Sequence, residues 1–149
     1  LSDKNQINPI LTRVSINAIP PVISIQSSEK NLGIDVESSP ITESIKQLFQ
    51  ELYGASFIRK NNGDILLNVN INTSWRTKEA NEYGLYLAYG DINVNISERG
   101  GNEIFSFSIV NEPGRSFSNN RDAGLNAINS MKEKVLQKLS KELELVFNH

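Results

Sequence analysis

The chain has 149 residues, a formal net charge of -2 and no cysteine. That length suits one domain with a real core, and the missing thiols remove disulfides, thiolate metal sites and cysteine nucleophiles. The charge gives no electrostatic reason to expect broad nucleic-acid binding.

Hydrophobic residues make up 38% and charged residues 21%, a globular rather than a disordered balance. No apolar run approaches the ~20 residues of a membrane-spanning helix. No signal-like segment opens the chain, which begins at Leu1 without Met. A trimmed start is expected, with a signal or lipid anchor upstream left open.

Residues 1–18 are polar and weakly patterned and read as an arm or linker, with a short strand over 11–17; residues 19–149 read as one domain. Pro20-Pro21 interrupts any ladder, because neither donates a backbone hydrogen bond. Val22, Ile23 and Ile25 predict a strand just after it, at a sheet edge. Residues 27–39 read as a polar loop turning at Gly33.

Pro40 opens a helix, with Ser38 or Ser39 as its cap. Ile41, Ile45, Leu48, Phe49 and Leu52 form one apolar stripe, and Gly54 ends it. Phe57 and Ile58 start a strand, and Asn62-Gly63 predicts a hairpin turn. Residues 64–74 then alternate: Ile65, Leu67, Val69, Ile71 and Thr73 fall on one face, and Leu66, Asn68, Asn70, Asn72 and Ser74 on the other.

Residues 83–96 are extended. Leu85, Leu87 and Tyr89 lie in one phase and Ile92, Val94 and Ile96 in the other, so a bulge at Gly90 is expected to keep both halves inward. Gly100-Gly101 turns the chain into a strand over 102–110, with Phe105, Phe107 and Ile109 inward. A long helix follows from about residue 118 to 147, striped by Leu125, Ile128, Met131, Val135, Leu139, Leu143 and Val146. The order predicts an α+β domain, its mixed or mostly antiparallel sheet covered on one face by two helices.

The chemistry is sparse. His149, the last residue, is the only histidine, so neither a zinc site nor a Ser-His-Asp arrangement is available within one chain. We expect no metal, no cofactor and no catalytic residues. An enzyme working with Asp, Glu, Ser or Tyr alone needs a cleft that joins Asp35, Glu37, Asp91 or Glu103. Glu79 and Glu82 could share a turn, but they do not match a calcium loop.

Arg115, Ser116, Ser118 and Arg121 precede the last helix, where free amides and two guanidinium groups can hold an anion or small ligand. Trp75, Tyr83 and Tyr86 are candidates for partner binding, because aromatics are enriched at interfaces.

The segments PPVISIQ, ITESIKQLFQELYGASFI, DILLNVNINTSW, LAYGDINVNI and GRSFSNNRDAGLNAINSMKEKVLQKL resemble a group of bacterial envelope domains. The group includes the TolB amino-terminal domain, the curli secretion lipoprotein and the lipoproteins related to flagellar assembly protein T. Gly54, Asp64, Asp91 and the Ala123/Ala127 pair occupy similar places. The resemblance implies a non-enzymatic assembly module that binds other envelope proteins or itself. Its location would be the periplasm or the periplasmic face of the outer membrane, with the cytoplasm as the alternative. It carries over no catalytic residue.

Overall fold

The computed structural model of the chain describes residues 19–147, so the strand expected over 11–17 and His149 lie outside it. The elements are β1 (Val22–Asn31), β2 (Ile34–Asp35), α1 (Pro40–Tyr53), β3 (Ser56–Ile58), β4 (Ile65–Trp75), β5 (Tyr86–Glu98), β6 (Glu103–Ser116) and α2 (Asn120–Phe147). The sheet runs β2-β1-β4-β5-β6, with β3 also paired to β1. The α+β class, the mixed sheet and the long last helix agree with the sequence reading.

The alternation of β4 decides which face is covered. Ile65, Leu67, Val69 and Ile71 are buried, together with Ile92, Val94 and Ile96 of β5 and Phe105 and Phe107 of β6. Against them lie Ile41, Ile45 and Phe49 of α1 and Ile128, Met131, Val135, Leu139 and Leu143 of α2. Each such side chain contributes roughly 1.5–3 kcal/mol before entropy is counted. Leu52, expected in the α1 stripe, is instead 53% exposed. It sits in the last turn, where the helix leaves the sheet for Gly54 and its left-handed φ of 65°.

Long-range pairing overrides several local signals. Residues 27–31 read as loop but extend β1, which is locked in parallel to β4 from Ile23↔Ile65 to Lys30↔Asn72. Asn62-Gly63 makes no hairpin, since β3 and β4 both run parallel to β1. The connection instead crosses the end of β1, where the Gly63 amide donates to Ser24 Oγ at 2.7 Å. Nor is β1 an edge near Pro20-Pro21: β4 flanks it on one side and β2 and β3 on the other. Among the described residues β6 forms the long open edge.

The phase change expected at Gly90 lies on the neighbouring strand. Ala88, Gly90, Ile92, Val94 and Ile96 are all buried, so β5 keeps one phase, and Leu87 and Tyr89 take the opposite side. The extra residue is in β6, where Gly90↔Glu112 is followed by Ile92↔Ile109. Asn111 takes a φ of 56° there, and the Asp91 carboxylate accepts its amide at 2.8 Å. Beyond this bulge, Glu112 and Gly114 face the helices.

Small residues let α2 approach closely. A Cβ on Gly114 would lie 2.2 Å from the Ala123 carbonyl oxygen, and one on Gly124 would lie 1.8 Å from Asn31 Oδ1.

Candidate binding surface

Both helices lie on one side of the sheet, and among the described residues no helix covers the other side. Strand register arranges its side chains into rows. Gln26, Asn68, Asn95 and Ser106 are cross-strand partners in turn, and so are Ser28, Asn70, Asn93 and Ser108. Lys30, Asn72 and Asp91 make a third row. Strand geometry spaces these groups by about 4.8 Å across the sheet and about 7 Å along it.

Across this face Asn95 donates to Glu103 at 2.7 Å, and the Ser108 hydroxyl donates to Asn93. Among the described residues, Gln26, Asn68, Asn70 and Asn72 have no side-chain partner. Their amides stay available, each with donors and an acceptor. A shallow groove of about 310 Å³ runs over Gln26, Ser28, Asn68, Asn70, Asn93 and Asn95.

At one end of the open face the Arg76 guanidinium lies 4.5 Å from the Tyr89 ring centre. Arg115, opposite Leu87 in β6, also belongs to this face. Its segment is strand rather than the approach to a helix. Ser116 Oγ accepts the Ser118 amide at 3.0 Å. Asn119 Oδ1 caps α2 by accepting the Asp122 amide at 2.7 Å. Arg121 lies in the first turn of α2 and lines a different cavity, so the two arginines do not share a pocket.

That second cavity is a groove of about 340 Å³ between the β1–β2 turn and the start of α2, and Asp35 and Glu37 line it with Arg121. Asp91 and Glu103 are bonded on the sheet side instead, so the acids named from sequence fall into two places. Among the described residues no group of three His, Cys, Asp or Glu could hold a metal ion. No described helix is long and apolar enough to cross a membrane.

Trp75, at the end of β4, is 42% exposed, and Tyr83 is 74% exposed. Tyr83 projects from a loop held by Asn81, whose side chain accepts the amides of Tyr83 and Leu85. Tyr86, half-buried, begins β5 opposite Ser116. The sequence showed the Asn68/Asn70/Asn72 alternation only as a polar face. Its continuation into neighbouring strands required the register.

The described residues define a two-layer α+β domain with a polar, hydrogen-bonding sheet face opposite its helices. No protein-family model matches the chain, and no curated protein matches it. Among solved structures it is similar to a Helicobacter pylori protein named as a neuraminyllactose-binding hemagglutinin homolog. The two are 18% identical, the likeness covers 82% of this chain and 84% of that chain, and the TM-score is 0.50. That likeness concerns the fold.

Proposed function

We propose that the chain is a non-enzymatic binding module of a bacterial cell envelope complex, and that it docks other envelope proteins on its open sheet face. The observation that carries this reading is the row of side-chain amides on Gln26, Asn68, Asn70 and Asn72, which have no partner among the described residues. Water satisfies them at little cost, and a partner's backbone or polar side chains can replace that water. The periplasm, or the periplasmic face of the outer membrane, is the setting that the sequence resemblance implies.

A photo-crosslinking residue at Asn70, compared with one at the exposed Gln137 of α2, provides the test. The expected result is a discrete envelope adduct at Asn70 only, lost on Asn93→Lys. Equal adducts at both positions, or none, overturn the reading.

The neutrality of the central rows favours a second reading, in which the same face holds an oligosaccharide through its hydroxyls. The fold neighbour is named as a neuraminyllactose-binding hemagglutinin homolog. Saturable binding of sialyllactose that is lost on Asn70→Ala would select this reading over a protein partner.

A further inference from the structure

The chain holds one Asn-Gly pair, Asn62-Gly63, and this hairpin signal makes no hairpin. The crossing of β1 explains the glycine. A Cβ on Gly63 would lie 2.6 Å from the Ser24 amide nitrogen and 2.7 Å from both Ser24 Oγ and the Val22 carbonyl oxygen, so no other residue passes there. The same bare Cα leaves Asn62 chemically vulnerable. With no side chain on the following residue, nothing screens the Asn62 side-chain carbonyl carbon from the Gly63 nitrogen. Asn62 is exposed, and its side chain has no partner among the described residues.

The reaction open to such a pair is deamidation. The Gly63 amide gives its proton to solvent base, and its nitrogen attacks Asn62 Cγ. That C–N bond forms as the side-chain nitrogen departs as ammonia, leaving a cyclic succinimide. Water then opens either ring carbonyl, giving aspartate or isoaspartate. A water enters and an ammonia leaves, with no oxidation or reduction. In the fold the attacking nitrogen is occupied. The Gly63 amide donates to Ser24 Oγ at 2.7 Å, and Ser24 is 3% exposed. The Ser24 hydroxyl donates its own proton to the Lys60 carbonyl at 2.6 Å, which leaves its lone pairs for Gly63. The Gly63 carbonyl accepts from Arg99 Nε at 3.1 Å. The next amide, of Asp64, donates to the Val22 carbonyl at 2.7 Å. Gly63 is therefore held on both sides.

We infer that Asn62 is a modification site gated by unfolding. While the Ser24–Gly63 bond stands, base cannot remove the Gly63 proton and the nitrogen cannot turn onto Asn62 Cγ. A protected amide of this kind reacts only through local opening. Unfolding frees the nitrogen, and the site then converts to aspartate or isoaspartate. The product carries a new negative charge. Isoaspartate also adds a carbon to the main chain, next to a glycine that cannot move without losing Ser24 and Arg99. The folded chain therefore keeps an amide at this position, and a chain that has been unfolded is marked by its loss. This holds whatever the sheet face binds.

The test is incubation of the full chain in mildly alkaline buffer, with peptide mapping that separates asparagine, aspartate and isoaspartate at this position. The folded parent should convert at least about tenfold more slowly than the same chain in denaturing guanidinium chloride, a ratio that needs only about 1.4 kcal/mol of local closure. Ser24→Ala removes the acceptor and should convert several-fold faster than the parent while folded. Arg99→Ala frees the Gly63 carbonyl but leaves the amide bond, and should convert at the parent rate. Should Ser24→Ala fail to fold, hydrogen exchange in the parent replaces it. Across sub-denaturing guanidinium chloride, conversion should then rise in step with exchange of the Gly63 amide. Equal rates in the folded and unfolded parent overturn the inference. So does a folded Ser24→Ala that stays at the parent rate, an Arg99→Ala that converts as fast as Ser24→Ala, or conversion that does not follow the Gly63 amide.

Discussion

The Glu29 carboxylate receives both the amide and the hydroxyl of Thr42, at 3.3 and 3.1 Å. It also accepts the Ile41 amide at 3.1 Å. A strand residue thereby caps a helix to which it does not belong. Ser39, the cap position, has a φ of 38° and makes no side-chain cap bond. The buried charge is stabilised by the free amides and positive end of α1.

Glu29→Ala is expected to lose about 1.5–3 kcal/mol, the range for hydrogen bonds to a charged group. Ser39→Ala should stay within about 0.5 kcal/mol, as for a surface change without a lost cap. Urea denaturation of both variants checks the pair. A larger loss for Ser39→Ala would return the cap to the serine.

The glycines under α2 should differ by what lies above them. A Cβ on Gly114 meets the backbone at Ala123 and Ala127, whereas one on Gly90 meets the Met131 methyl at 2.5 Å. Backbone cannot yield without moving the helix, but a methionine end can swing aside. Gly114→Ala should cost about 3 kcal/mol or more and Gly90→Ala about 1 kcal/mol. Equal midpoints in urea would mean that the helix itself shifts at both sites.

These cases mark what the chain shows locally and what it does not. The alternation of Ile65 to Thr73 and the stripe from Ile128 to Leu143 foretold the covered sheet, because period alone places a side chain on a face. The Glu29 cap was invisible, since the acid and its helix are joined only by tertiary packing. The bulge was foreseen near Gly90, but pattern alone does not say which of two paired strands carries the extra residue. The resemblance aligned Asp64 and Asp91 without explaining them. In the structure Asp64 accepts the Val22 amide and the Arg99 guanidinium, both at 3.0 Å, and Asp91 holds the Asn111 bulge. Asp35 and Glu37 were read together as candidate acids and Arg121 apart from them, and only the fold places all three along one groove.

Glu112 makes stability depend on pH. Burial pushes its carboxyl up, but hydrogen bonds from Lys134 and Ser130 and the Lys134 charge outweigh that and hold it below the ordinary glutamate range. Lys134 Nζ lies 2.6 Å from the carboxylate. A folded-state pKa below the unfolded one gives stability that is fully present above the unfolded value of about 4.3. That stability is lost as pH falls through the folded value. Glu112→Gln should therefore be less stable than the parent at pH 7, and the gap should close under acid conditions. Urea midpoints across the pH range check this. A gap that stays constant below the ordinary glutamate pKa would assign the loss to packing rather than to the charge.

Leu32→Asn tests the strain at the β1–β2 turn, where Leu32 has a φ of 54°. The left-handed backbone costs an ordinary L-residue roughly 1–2 kcal/mol, and Asn recovers part of it through local hydrogen bonding. Leu32 is only half-buried, so little core contact is lost. The variant should gain about 0.5–1 kcal/mol, read from its urea midpoint, in the manner of other turn replacements suited to positive φ. If stability falls instead, the leucine is held by packing against its neighbours rather than strained.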